Sequence, residues 1–86
     1  MNKLDEYRRQ LEKIDKSILD LLAKRFIIVR KIGSIKKDNN LPIIDIKQEE
    51  EKINQLSLTG KKLGIEKNLI RSVWSLIFKN SYILEK

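Results

Sequence analysis

One stretch, residues 3–37, constrains this chain more than any other. From Leu4 it reads LDEYRRQLEKIDKSILDLLAKRFIIVRKIGSIKK, with no proline and a single glycine, Gly33. Leu4, Leu11, Ile14, Ile18, Leu21, Leu22, Val29 and Ile32 recur at steps of three and four, the spacing of an apolar stripe on a helix. At 1.5 Å rise per residue the stretch predicts one helix roughly 50 Å long. A compact domain of this size is only about 25–30 Å across. A helix of that length cannot bury its whole stripe against its own short chain, so a partner helix is implied.

Three cations on this helix stand out. Arg25 and Lys36 are eleven positions apart, about three turns, and project from nearly the same face. Arg8 precedes Arg25 by seventeen positions, which places it about 25 Å away along the axis and about 100° round it. Two long side chains can converge from three turns apart, but Arg8 cannot join them within one chain. If all three serve one anion, Arg8 comes from a second copy. By spacing alone, the three read first as solvated cations on a Lys/Arg-rich helix.

Composition narrows the classes. Eighty-six residues make one small domain, spanning 1–86, and a core of that size is usually reinforced by disulfides, metal or association. With no Cys and no His, disulfides, zinc modules, Cys or His nucleophiles and a histidine general base are excluded. Association remains. The net charge of +7 invites a nucleic-acid partner. Against that, the cations are interspersed with Asp and Glu, and no RNP-like aromatic run or short helix-turn-helix pattern appears. A basic surface equally suits a small, multiply charged anion. No apolar run approaches the ~20 residues of a membrane span, and MNKLDEYRRQ is no signal peptide. The expectation is a soluble, cytoplasmic protein, with neither nucleic acid nor membrane as a partner.

The break at residues 37–42, Lys-Asp-Asn-Asn-Leu-Pro, ends the first helix. Asp45 or its neighbour is placed to cap a second helix, whose early turns hold Glu49, Glu50 and Glu51. Ile46, Ile53 and Leu56 form its apolar stripe, and Gly60 is expected to cap its C-terminus. Residues 61–64 then form a short loop or a brief helical extension. A third helix is predicted over about 66–84, with Trp74 and Phe78 in the core. Alternation is nowhere sustained, so strands are not expected. The fold class is all-α: one very long helix and two shorter ones.

Two pairs carry possible chemistry. Asp45 and Glu49 share a helix face with Gln48 beside them, and Ser81 and Glu85 repeat the four-residue spacing. Taken alone, the first pair reads as capping and dipole residues, and the second as solvated side chains near a helix end.

Jointly, these residues resemble a known family, the all-helical chorismate mutases (the AroQ class). Leu11 through Leu22 to Arg25, then Val29 and Ile32-Gly33-Ser34-Ile35-Lys36, is similar to that family's first helix. Leu41-Pro42-Ile43-Ile44-Asp45-Ile46-Lys47-Gln48-Glu49 looks like its turn and second-helix start, and the last helix to Ser81 and Glu85 looks like its third. The resemblance covers nearly the whole chain and implies an interlocked homodimer rearranging chorismate to prephenate in aromatic amino-acid biosynthesis, with no cofactor and no metal. It implies that Arg8 is donated across the dimer and that Arg25 binds a substrate carboxylate. Lys36 would reach a carboxylate and the ether oxygen, Asp45, Gln48 and Glu49 would line the substrate hydroxyl region, and Ser81 would contact the substrate. Glu85 would sit opposite Lys36 at the ether oxygen. Lys36, Glu85, Arg25 and Arg8 would thus be the catalytic set.

Two departures qualify the resemblance. Gln48 stands where many relatives have Arg, so one guanidinium is missing, and Glu85 stands where some carry Gln. Two other functions remain open at this point. One is an isochorismate pyruvate lyase of the same fold; the other is a dimeric helical module that binds nucleic acid or protein without catalysis.

Overall fold

The computed structural model describes residues 2–86 and holds three helices among them: α1 (Lys3–Asp38), α2 (Ile46–Lys62) and α3 (Lys67–Glu85). The molecule measures 57 × 25 × 16 Å, the long dimension being that of α1. Its radius of gyration is 16.3 Å, against about 12 Å for a compact domain of this length. The helix therefore runs unbroken, as the missing proline predicts, and overhangs the rest of the chain. Asp5 and Glu6 in its first turn and Lys36 and Lys37 in its last both suit the helix dipole.

Asn40 stops α1 by entering the left-handed region at φ 54°, a conformation Asn tolerates better than most residues. That turn lets the Leu41 amide donate to the Lys36 carbonyl at 2.8 Å, closing the helix end just before Pro42. Asp45 then caps α2 as expected, its Oδ1 accepting the Gln48 backbone N–H at 3.1 Å.

The end of α2 differs from the expectation. Gly60 is not the cap: the helix continues to Lys62, and Gly60 lies buried within it. A Cβ there would collide with the Ile70 side chain, so the glycine serves close approach of α3 rather than chain reversal. The residue that reverses the chain is Gly64, at φ +75°, with the Ile65 amide reaching back to the Gly60 carbonyl at 2.8 Å.

α3 packs against both other helices and is the hub of the fold. Val29, Ile53, Ile70 and Phe78 are the buried hydrophobic residues, one or two from each helix. Trp74, expected in the core with Phe78, is only half-buried, and Ile46 is exposed rather than part of the α2 stripe. At the surface Arg71 of α3 forks onto Glu50 of α2 at 3.0 and 3.4 Å. The pair lowers the Glu50 pKa and raises that of Arg71, chiefly through its hydrogen bonds.

The stripe on α1 is covered only near its C-terminal third. Val29 is buried and Leu22 half-buried, whereas Leu4, Leu11, Ile14, Ile18 and Leu21 are each more than half exposed. No helix among the described residues is long and apolar enough to cross a membrane.

Candidate active site

Where α1, the α1–α2 connection, α2 and α3 converge, they enclose a cleft of about 370 Å³. Helix α1 contributes Arg25, Val29, Ile32 and Lys36, and the connection contributes Ile43 and Asp45. Gln48, Glu49 and Lys52 come from α2, and Phe78, Ser81, Tyr82 and Glu85 from α3. A more open groove of about 650 Å³ lies at the α2–α3 turn, but none of the sequence-predicted site residues borders it.

The helical period explains the gathering. Arg25, Val29, Ile32 and Lys36 follow one another at steps of four, three and four, so one face of α1 supplies them all. On α3, Phe78, Ser81, Tyr82 and Glu85 share a face in the same way. The cap at Asp45 fixes where α2 starts, and so aims Gln48, Glu49 and Lys52 from its first turns.

Hydrogen bonds hold the cations in place. Arg25 Nη1 donates to Ser81 Oγ at 2.8 Å, and the Ser81 hydroxyl donates in turn to the Ile77 carbonyl at 2.8 Å. The serine proton is thus spent on its own helix, leaving its oxygen free to accept from Arg25. Lys36 Nζ donates to the Ile43 carbonyl at 2.7 Å and meets Glu85 Oε1 at 2.6 Å. Glu85 is 6% exposed, and its Oε1 accepts no well-directed hydrogen bond, so it meets the ammonium as a close ion pair only. A buried ion pair is poor evidence for stability, because removing both charges from water offsets their attraction. Its presence at a cleft is better explained by use.

Gly33 makes this placement possible. It is buried, and a Cβ built on it would lie 2.7 Å from both Cα and the carbonyl oxygen of Glu85. The end of α3 rests directly on the α1 backbone at that point, three residues before Lys36.

Tyr82, unremarked in the sequence, closes the α2 side. Its phenol is pushed up to about 12, first by burial, then by hydrogen bonding to Glu49 and the charge of that carboxylate; Glu85 adds to the rise and the Asp45 backbone opposes it. Tyr82 therefore stays protonated at any ordinary pH and acts as a neutral donor beside Glu49.

Seven of the eight predicted site residues line this one cleft: Arg25, Lys36, Asp45, Gln48, Glu49, Ser81 and Glu85. Arg8 does not; it is exposed, on the overhanging part of α1. Tyr82 and Lys52 were not singled out beforehand, and Val29, Ile32, Ile43 and Phe78 were named for the stripe, the motifs or the core but not for the site. Their spacing from Ser81, Gln48 and Arg25 held the signal for all but Ile43.

Residues 7–86 match the family Chorismate mutase type II. The chain belongs to that family. Over 85 residues it is 38% identical to the bifunctional chorismate mutase/prephenate dehydratase of Buchnera aphidicola subsp. Schizaphis graminum, covering 99% of this chain and 22% of that protein. It is 33% identical to the T-protein of Enterobacter agglomerans, covering 95% of this chain and 22% of that protein. The chorismate mutase of Methanocaldococcus jannaschii is 24% identical over the full chain and 87% of its own length. This member of the chorismate mutase type II family thus spans about a fifth of the bifunctional relatives and most of the shorter one.

Proposed function

We propose that this domain rearranges chorismate to prephenate, acting as an interlocked homodimer in which each cleft receives Arg8 from the partner chain. The observation that carries this reading is the Lys36–Glu85 pair at 2.6 Å in the same cleft as the Ser81-held Arg25. Membership of the chorismate mutase type II family supports it. A role in aromatic amino-acid biosynthesis follows from the product, and the cytoplasm is the proposed compartment, in keeping with a chain that has no cysteine.

The reaction is a pericyclic rearrangement within one molecule and needs no nucleophile or proton carrier. What it needs is a compact substrate conformer, which fixed cations enforce by holding the two carboxylates. Arg25 suits that task, since guanidinium pairs with carboxylate bidentately and Ser81 orients it. As the C–O bond stretches, negative charge grows on the ether oxygen, where Lys36 is the donor and Glu85, held against it at 2.6 Å, donates only when it carries a proton. Asp45 and Glu49, the latter beside Tyr82, face the substrate hydroxyl region. Dimerisation is supported by the uncovered stripe of Leu4, Leu11, Ile14, Ile18 and Leu21. Burying those side chains against a second copy would contribute on the order of 5 kcal/mol or more, comparable to the whole stability of a small domain.

Loss of chorismate absorbance on adding the purified chain tests the activity directly; unchanged absorbance, with folding verified, refutes it. A second measurement addresses Glu85. A hydrogen bond to an ether oxygen needs a donor, and an ionised carboxylate has none, so only the protonated acid can do this work. Glu85→Gln, whose amide carries a donor whatever the pH, is therefore expected to keep the domain active. If folded Glu85→Gln has lost turnover, the ether-oxygen donor is another group.

A further inference from the structure

Within one chain, the charges lining the cleft do not suit a dianionic substrate unless Lys52 is counted, and Arg8 from a partner would by itself bring them only to neutrality. Arg25 and Lys36 are opposed by Asp45, Glu49 and Glu85, which leaves those five groups net negative in their ionised forms. Gln48, at the first turn of α2, adds nothing. Lys52 sits one turn further along the same face and brings the lining back to balance. Its setting is unlike that of the other lysines on this helix. Lys47, Lys61 and Lys62 are exposed, whereas Lys52 is half-buried and borders the cleft. Its ammonium is in no ion pair or hydrogen bond among the described residues, although Glu49 precedes it by only three positions. A half-buried lysine at the wall of a cleft, with no ion pair of its own, is a ready partner for an anionic ligand.

We infer that Lys52 is a substrate-binding residue, which supplies from the second turn of α2 the positive charge that Gln48 does not supply from the first. It rests on the proposed substrate, a compact dicarboxylate, and takes one of that molecule's carboxylates as a point charge. Because this contact is made in ground state and transition state alike, its loss weakens binding more than it slows the chemical step.

Lys52→Gln, with helix content verified by circular dichroism, is expected to raise KM for chorismate about tenfold and to change kcat little. Lys52→Arg keeps KM near wild type, and Gln48→Arg placed in the Lys52→Gln chain brings it back down. An unchanged KM in folded Lys52→Gln overturns the inference, as does a rise that neither Arg restores, since that marks a packing role for the lysine stem. Calorimetric titration with prephenate separates this result from the fate of the proposed activity. A chain that leaves chorismate intact but binds prephenate in a Lys52-dependent way keeps the inference and removes the mutase reading. Turnover with Lys52-independent binding does the reverse, and absence of both removes the two together.

Discussion

Mixing an Arg8→Ala chain with an Arg25→Ala chain is expected to restore activity that neither possesses alone. On the proposed arrangement each substitution removes a charge-assisted contact to a substrate carboxylate, so each homodimer should lose about 100-fold or more in kcat/KM. In the mixed dimer, one cleft takes intact Arg25 from one subunit and intact Arg8 from the other, while the second cleft lacks both. Random exchange makes half the dimers mixed, so activity should return to about a quarter of wild type. The basis is geometric: Arg25 lines the cleft, while Arg8 lies on the exposed overhang of the same helix. Should subunit exchange be demonstrated and activity stay absent, each cleft is built from one chain and the shared-site arrangement is wrong.

Gly33→Ala should damage catalysis far more than stability. Alanine in the middle of a helix gains about 1 kcal/mol over glycine in backbone propensity. Here its Cβ would meet the Glu85 backbone at 2.7 Å, where a side chain cannot yield in its place. Overpacking of this kind costs about 1–3 kcal/mol, so the two effects partly cancel and leave a net loss of at most about 2 kcal/mol. The geometry does not cancel. The end of α3 must move away by several tenths of an ångström, carrying Glu85 from its 2.6 Å contact with Lys36. Displacements approaching 1 Å in a catalytic group cost up to about 100-fold in rate. Measuring kcat/KM beside the unfolding midpoint separates the two effects; full activity in Gly33→Ala would show that this contact does not set the position of Glu85.

The helices and the cation pair were legible because helical periodicity is a local property. An uninterrupted 3–37 pattern, a break at residues 37–42 and an Asp cap leave few alternatives, and the eleven-residue step from Arg25 to Lys36 already put them on one face. What stayed hidden depends on contacts between helices. Gly60 carries the composition of a helix end, yet its role is to admit Ile70, and only packing reveals that Gly64 makes the turn. Glu85 near the chain end reads as a solvated side chain, but α3 lies against Gly33 and buries it. Tyr82 and Lys52 are ordinary residues in a helical pattern; proximity to Glu49 and an unpaired setting distinguish them. The family resemblance was needed to join Arg8 to the set, since spacing showed only that it could not reach the others within its own chain.

On the dimer reading, the uncovered arm of α1 also ties this protein's folding to its abundance. From Leu4 to Leu21 the helix has apolar side chains and no cover from its own chain, so on the dimer reading a second molecule supplies the free energy that orders it. Folding of the arm is then a bimolecular event. Each tenfold dilution removes about 1.4 kcal/mol from its stability, and the melting midpoint falls with it. A catalyst built in the proposed way has a threshold: below the concentration at which pairs persist, a chain would have neither a settled arm nor an arginine borrowed for its cleft.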